Sequence, residues 1–313
     1  MNNLKTAAPR TDMALELLKD KRAANCRTTV TDGQYGLKRT AVLIGDEAAA
    51  REIGKPVGNY YTVEIETPYK RPAKIRAYAA REIAGALSEA LRLSGGSRQK
   101  PDKLKTVFVA CLGNKNMAAD ALGPYVMEKL IVTRHLFGAN EPGADKMGNL
   151  CALSPGVLGI TGIETYDVLA ALVDRIKPGA VIAVDTLASG STARLASAFQ
   201  IADSGITPGA GVGNRRLRLS RETLNVPVIA VGVPLVVYAS TIVNEVFEEY
   251  FRGRKRGENR AAAERATAAL LGDAIVTLKD IDVAVKECAD ILALAVNMAV
   301  HGLTAEEAAG LMR

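Results

Sequence analysis

The chain has 313 residues, 48% of them hydrophobic, enough to bury a sizeable core as one large or two modest domains. With no Trp and only 4% aromatic residues that core is aliphatic, which argues against an aromatic stacking platform for single-stranded nucleic acid. The net charge of +6 comes from 40 Lys and Arg intermixed with 34 Asp and Glu; the one dense basic run, 252–260, reads as a solvated loop, so no direct nucleic-acid partner is expected.

The start carries no apolar signal core and no apolar run reaches membrane-spanning length, which predicts a soluble, cytoplasmic protein without a membrane partner. Cys26, Cys111, Cys151 and Cys288 lack metal-ligand spacing and sit in or near apolar segments, as reduced core thiols would. Residues 1–36 show little periodicity and read as an extended arm. Strands are expected at 40–44 and 60–66; in the second, Tyr61, Val63 and Ile65 alternate with Thr62, Glu64 and Glu66. Apolar residues at four-residue steps make 75–93 a helix, and 94–103 a turn or linker.

An α/β rhythm follows. Residues 106–112 form a continuous apolar strand, broken by Gly113-Asn114; a loop carries Asp120, and Gly123-Pro124 opens a helix over 125–134. After a loop over 136–149 come a short apolar element at 150–153, the Gly-rich 154–162 and a helix over 164–176. Residues 180–184 run without a polar break and end at Asp185, as a buried parallel strand with an acid at its carboxyl end would. A strand at 196–201, a loop at 205–214, a strand at 227–233 and helices at 235–251 and 280–301 complete the pattern. The expected fold is α/β: a mainly parallel or mixed sheet flanked by helices, preceded by an N-terminal arm.

Asp120 and Asp185 both follow buried strands. Two acids projecting at one sheet edge tend to share a proton, so one can take a proton from water while the other polarises a carbonyl. The helix following Asp120 favours its charged form, making it the base and Asp185 the proton donor. Spacing alone equally allows a helix-capping Asp120 and an Asx-turn Asp185. Other chemistries fare worse. The Gly209–Gly213 loop follows Thr207-Pro208 rather than a strand, no Gly-x-Ser-x-Gly elbow occurs, and Cys111 has no evident His base. His135 and His301 read as capping or surface groups.

The motifs Leu112-Gly-Asn-Lys-Asn-Met-Ala-Ala-Asp120-Ala-Leu-Gly-Pro124, Val132-Thr-Arg-His135-Leu, Ser154-Pro-Gly-Val-Leu-Gly-Ile-Thr-Gly-Ile-Glu164-Thr and Ala183-Val-Asp185-Thr-Leu-Ala188 run in order along the chain. Gln200-Ile-Ala-Asp203-Ser-Gly-Ile-Thr-Pro-Gly-Ala-Gly-Val-Gly-Asn214 and Pro227-Val-Ile-Ala-Val-Gly-Val-Pro234 follow. Together they resemble the germination protease family, peptidases that degrade small acid-soluble spore proteins. The resemblance implies an atypical aspartic endopeptidase with Asp120 and Asp185 as its catalytic pair. It also implies no metal or cofactor, and a fold similar to hydrogenase maturation proteases. Asn114, Glu164, Gly211 and Asn214 are candidates for supporting the pair or touching substrate.

Family members are zymogens that remove a propeptide themselves, and their substrates are cut after an acid, in Thr-Glu before Ile/Phe-Ala-Ser-Glu. Thr11-Asp12-Met13-Ala14-Leu15-Glu16 copies that layout, implying self-cleavage between Asp12 and Met13, a propeptide over 1–12 and a single peptidase domain over 13–313. A plain helix from Thr11 is the competing view of this segment. The family further implies small acid-soluble spore proteins as substrate, a homotetramer, and a place in the forespore or spore core. Two alternatives stay open: a metal-dependent maturation-type peptidase, and a catalytically inactive relative that only binds spore protein. One departure is Pro234-Leu-Val-Val-Tyr238, where relatives often have Pro-Thr-Val-Val-Asp; it bears on pH dependence or substrate range, or leaves Tyr238 a packing residue.

Overall fold

The computed structural model describes residues 11–18, 23–94, 105–139, 146–209, 217–250, 266–267, 270–271 and 273–312. Its strands are β1 (Cys26–Asp32), β2 (Lys38–Ile44), β3 (Gly58–Glu64), β4 (Val107–Cys111), β5 (Leu150–Leu153), β6 (Ala180–Ser189), β7 (Ala198–Ala202), β8 (Val228–Tyr238) and β9 (Ile275–Val276). They join in one sheet in the order β1-β2-β3-β7-β8-β6-β4-β5, with β9 pairing β8. The half built from β5, β4, β6 and β8 is parallel, as continuous apolar runs buried on both faces require. β7, β3, β2 and β1 add on antiparallel, so the sheet is mixed.

One face is covered by the helices Ala73–Ser94, Leu122–Lys129 and Ile281–His301, whose Ile83, Leu87, Val126, Leu122, Leu292 and Val296 join Val109, Ile182, Val184 and Ile229 in the main core. The other face is covered in two patches. Leu169 and Val173, from the helix Thr165–Ile176, pack on Phe108, Ala110, Val181 and Ala183. Ala49, Ala50 and Ile53, from the helix Glu47–Ile53, pack on Val42, Ile44 and Tyr60. Between these patches, over β6, β8 and β7, lies the residue row that matters for chemistry.

Several expectations need correction. The arm over 1–36 is not wholly extended: Cys26–Asp32 is an edge strand, largely exposed and lacking a core-facing alternation, which hid it in the sequence. Ala14–Leu17 is a turn of helix, α1. The helix after Asp120 starts at Leu122 and ends at Lys129, and a separate short helix, Arg134–Gly138, holds the exposed His135. β8 does not stop before Pro234 but continues to Tyr238, and the next helix begins at Ala239. A closing helix, Ala305–Leu311, with a Thr304/Glu307 capping box, went unread. His301 is buried, its ring nitrogens against the carbonyls of Gly148 (3.2 Å) and Ile131 (2.8 Å), so it is a structural group and not a surface one.

Cys111 and Cys288 are buried, Cys26 and Cys151 half-buried, and all four are free thiols. No helix among the described residues is long and apolar enough to cross a membrane.

Candidate active site

Asp185 lies within β6 rather than beyond its end; the apolar run stops there, but the strand continues through Thr186-Leu-Ala-Ser189. β4 ends at Cys111, opposite Val184, so Asp185 is the first β6 residue with no β4 neighbour. The short turn Ala118–Asp120 occupies that end of the sheet, with Ala119 packed on Ala188, Val236 and Tyr238. The turn is anchored through Asn114, whose N–H donates to the Asp120 carbonyl (2.9 Å) and whose side-chain oxygen accepts from Asn116 N–H (3.0 Å). Asn114 therefore shapes the loop holding Asp120.

Gly113 is indispensable to this loop. Its φ of 110° is in the region side chains avoid, and an added Cβ would lie 2.0 Å from the Asp120 carbonyl oxygen. Gly113→Ala is expected to lower stability by about 2 kcal/mol or more and displace Asp120, seen as a lower thermal midpoint.

Asp185 is 6% exposed, and burial, followed by the negative charges of Asp120 and Asp12, pushes its carboxyl up to about 8. N–H groups of Thr186 (2.9 Å from Oδ1) and Gly209 oppose the rise. Its carboxyl is thus held neutral at pH 7, close enough to Asp120 and Asp12 to feel both charges.

The arm brings Asp12 there. Asp12 N–H donates to the Ala188 carbonyl (2.9 Å), and Ala188 N–H donates back to the Asp12 carboxylate (2.9 Å). Gln200 brackets the next peptide bond: its Nε2 donates to the Asp12 carbonyl (2.9 Å) and its Oε1 accepts from Ala14 N–H (2.8 Å). Strand register explains the placement. Asp185 pairs with Gly232 and Gly232 with Gln200, so the acid and the amide share one row and one face, two strand spacings or about 10 Å apart, across a residue with no side chain.

Met13 is fully buried against Leu187, Ala198 and Ile206. Beside Asp12 a cavity of ≈ 90 Å³ is lined by Lys55, Tyr60, Ser204, Arg218 and Gly232. Burial raises the Asp12 carboxyl, against the pull of the Lys55 charge, and burial lowers the Lys55 ammonium, against the pull of Asp12. Further along, Glu16 is 7% exposed, and its carboxylate accepts from Ser189 Oγ (2.8 Å), Gly190 N–H (2.6 Å), Arg194 Nη1 (3.0 Å) and Thr11 Oγ1.

Of the residues singled out in the sequence, Asp120, Asp185, Asp12 and Met13 converge, and Asn114 supports them. Glu164 stands at the start of the helix Thr165–Ile176 without a side-chain capping bond. Gly211 and Asn214 lie outside the described residues, as does the 1–10 part of the proposed propeptide. Tyr238 is a buried packing residue at the end of β8, against Ala188 and Val236. Gln200, Lys55, Ser189 and Arg194 were missed; the period-two pattern of β7, which puts a polar Gln200 on the face opposite Phe199 and Ile201, was the one available signal.

Among the described residues no three His, Cys, Asp or Glu side chains come together as a metal site would need, and neither His is near the pair.

The chain has relatives that show its family. The family profile described as germination protease matches residues 13–271. A germination protease of Caldanaerobacter subterraneus is 38% identical over 95% of this chain and 96% of its own length. Those of Clostridium perfringens and Bacillus cytotoxicus are 36% and 38% identical, over 85% and 82% of this chain and 85% and 71% of theirs. A solved [NiFe] hydrogenase maturation protease from Thermococcus kodakarensis overlaps 42% of this chain and 74% of its own at 20% identity and a TM-score of 0.28, too slight to carry weight. With a profile spanning most of the chain and relatives matched nearly end to end, this protein is a peptidase of the germination protease family.

Proposed function

We propose that the chain is an endopeptidase that cuts small acid-soluble spore proteins during germination, through Asp120 and Asp185 and without a cofactor, after first removing its own residues 1–12. The observation that carries this is the seating of residues 11–16 beside Asp185, with the Asp12–Met13 bond bracketed by Gln200. A simple surface helix from Thr11 would not need a buried Met13 or an acid pressed against the pair.

In the proposed cycle Asp120 takes a proton from water, whose oxygen attacks the Asp12 carbonyl carbon. Asp185 gives its proton to the carbonyl oxygen, which Gln200 Nε2 also contacts. Collapse of the tetrahedral adduct breaks the C–N bond; the Met13 nitrogen takes the proton held by Asp120, and Asp185 regains one from the adduct's hydroxyl. The pair ends as it began.

Active protein is expected to begin at Met13 by intact mass; an unprocessed Met1 terminus in fully active protein would overturn the self-cleavage site. The pH dependence follows from Asp185. Its carboxyl is neutral below about 8 and loses its proton above, so the self-cleavage rate should drop as pH rises through that value. A rate unchanged between mildly acid and alkaline pH would count against a shared proton. A forespore or spore-core location and a homotetramer belong to the same proposal; light scattering of the purified chain tests the latter.

A further inference from the structure

His301 is a buried titratable group that the proposed chemistry does not use. It ends the 21-residue helix Ile281–His301 and is 1% exposed. Its Nε2 lies 2.8 Å from the Ile131 carbonyl oxygen and its Nδ1 3.2 Å from that of Gly148. A carbonyl oxygen can only accept. A neutral imidazole carries one N–H, so it can donate to either carbonyl but must then turn a lone pair on the other. A doubly protonated ring donates to both.

The backbone around the ring is pinned by other side chains. One turn earlier on the same helix, Asn297 is fully buried; its Oδ1 accepts from Ile131 N–H (3.0 Å) and its Nδ2 donates to the Lys129 carbonyl (3.0 Å). On the other side the Thr133 hydroxyl donates to the Gly148 carbonyl (2.6 Å) and accepts from Leu150 N–H (2.9 Å). Gly148 also presses on the helix end, where an added Cβ would lie 2.2 Å from the Val300 carbonyl oxygen. The two carbonyls are therefore presented to the ring whether or not it is charged. Burial opposes the charge. Against it stand two charge-assisted hydrogen bonds, stronger than neutral ones, and the carboxyl end of a long helix, whose dipole favours a cation. The charged side chains on the elements meeting at this corner are Lys129, Arg134, His135, Lys146, Glu306 and Glu307, with Asp290 of the same helix 3.9 Å from Lys129. Their signs are mixed, so the groups in contact with the ring decide its state.

We propose that His301 carries both ring protons at pH 7 and acts as a pH-sensitive latch. Charged, it ties the end of the last core helix to the backbone at 131 and 148; on giving up a proton it loosens that corner. Because folding strengthens the ring's hold on its proton beyond the ordinary value of about 6.5, the latch contributes fully below that pH. Its contribution is lost as pH rises and the folded ring deprotonates.

Nitrogen-15 NMR of the full chain tests the protonation state. The chain has two histidines, and His135→Gln, at an exposed position, leaves only the His301 signals. At pH 7 both ring nitrogens should show the shifts of a protonated imidazole, whereas a ring of ordinary value would be about one-quarter charged. One protonated and one bare nitrogen at that pH overturns the proposal, and this reading does not depend on any change at His301. Denaturant midpoints of wild type and His301→Gln between about pH 5 and 9 test the latch itself. The advantage of wild type should be greatest at acid pH and shrink about tenfold or more, as a ratio of unfolding constants, toward alkaline pH. Asp185 titrates in both proteins and cancels in the comparison. An advantage that is constant with pH, or that grows on the alkaline side, refutes the latch.

Discussion

Replacing Asp185 with Asn is expected to stop self-cleavage and peptide turnover while making the protein harder to unfold at neutral pH. The first effect follows from the proposed role: an amide has no proton to give to a carbonyl oxygen, and losing a positioned acid costs about 10²- to 10⁴-fold. The second follows from burial. Asp185 is ordinarily ionised at pH 7 in an unfolded chain but pushed up to about 8 in the folded one, so folding must take up a proton. With the folded value raised, the contribution is fully present below about 4, the ordinary carboxylate value, and is lost as pH rises through about 8. Asn carries no such cost. The stability gained should therefore grow across that window to a few kcal/mol, measured as denaturant midpoints at several pH values. Asp120→Asn should also abolish turnover. It should at the same time lower the Asp185 value, since the Asp120 charge is one of the forces holding it up. An Asp185→Asn protein that still processes itself would sink the paired-acid mechanism.

Gln200→Glu should slow self-cleavage by about 10²- to 10³-fold, the cost of losing one donor to a developing oxyanion. The substitution keeps an oxygen for Ala14 N–H but replaces the Nε2 donor to the Asp12 carbonyl, and it adds a negative charge in the row shared with Asp185. Gln200→Leu removes both bonds without charge and should slow the reaction by a similar factor. Quantifying the Met13-terminated product over time would measure both, and a Gln200→Leu chain processing at the wild-type rate would remove Gln200 from the chemistry. Comparing the two separates lost hydrogen bonding from added repulsion.

Three of the four parallel strands, β4, β6 and β8, could be read from sequence because each is a run of small apolar residues buried on both faces, a pattern that surface segments do not show. Their lengths were not legible. Asp185 marked the end of hydrophobicity, not of pairing, and Pro234 suggested a helix start although it sits within β8 beside the irregular register at Leu187 and Ala188. The two aspartates were legible by position and by resemblance. Gln200 was not: one amide in a five-residue strand becomes meaningful only when Gly232 and Asp185 are aligned beside it. Arg194 and Ser189 gain meaning only through Glu16, more than 170 positions away, a separation no local pattern can signal.

That separation sets an order of events. Asp12 and Ala14 meet Gln200 across 188 and 186 residues, and Glu16 meets Ser189 across 173. Closing so long a loop is entropically costly until β6, β7 and β8 have assembled. The 11–16 segment is thus among the last to dock, because its berth is built from residues 187–206, more than 170 positions further along the chain. A nascent or half-folded molecule has nowhere to put the Asp12–Met13 bond. The self-cleavage proposed above would, on this geometry, wait for a completed sheet.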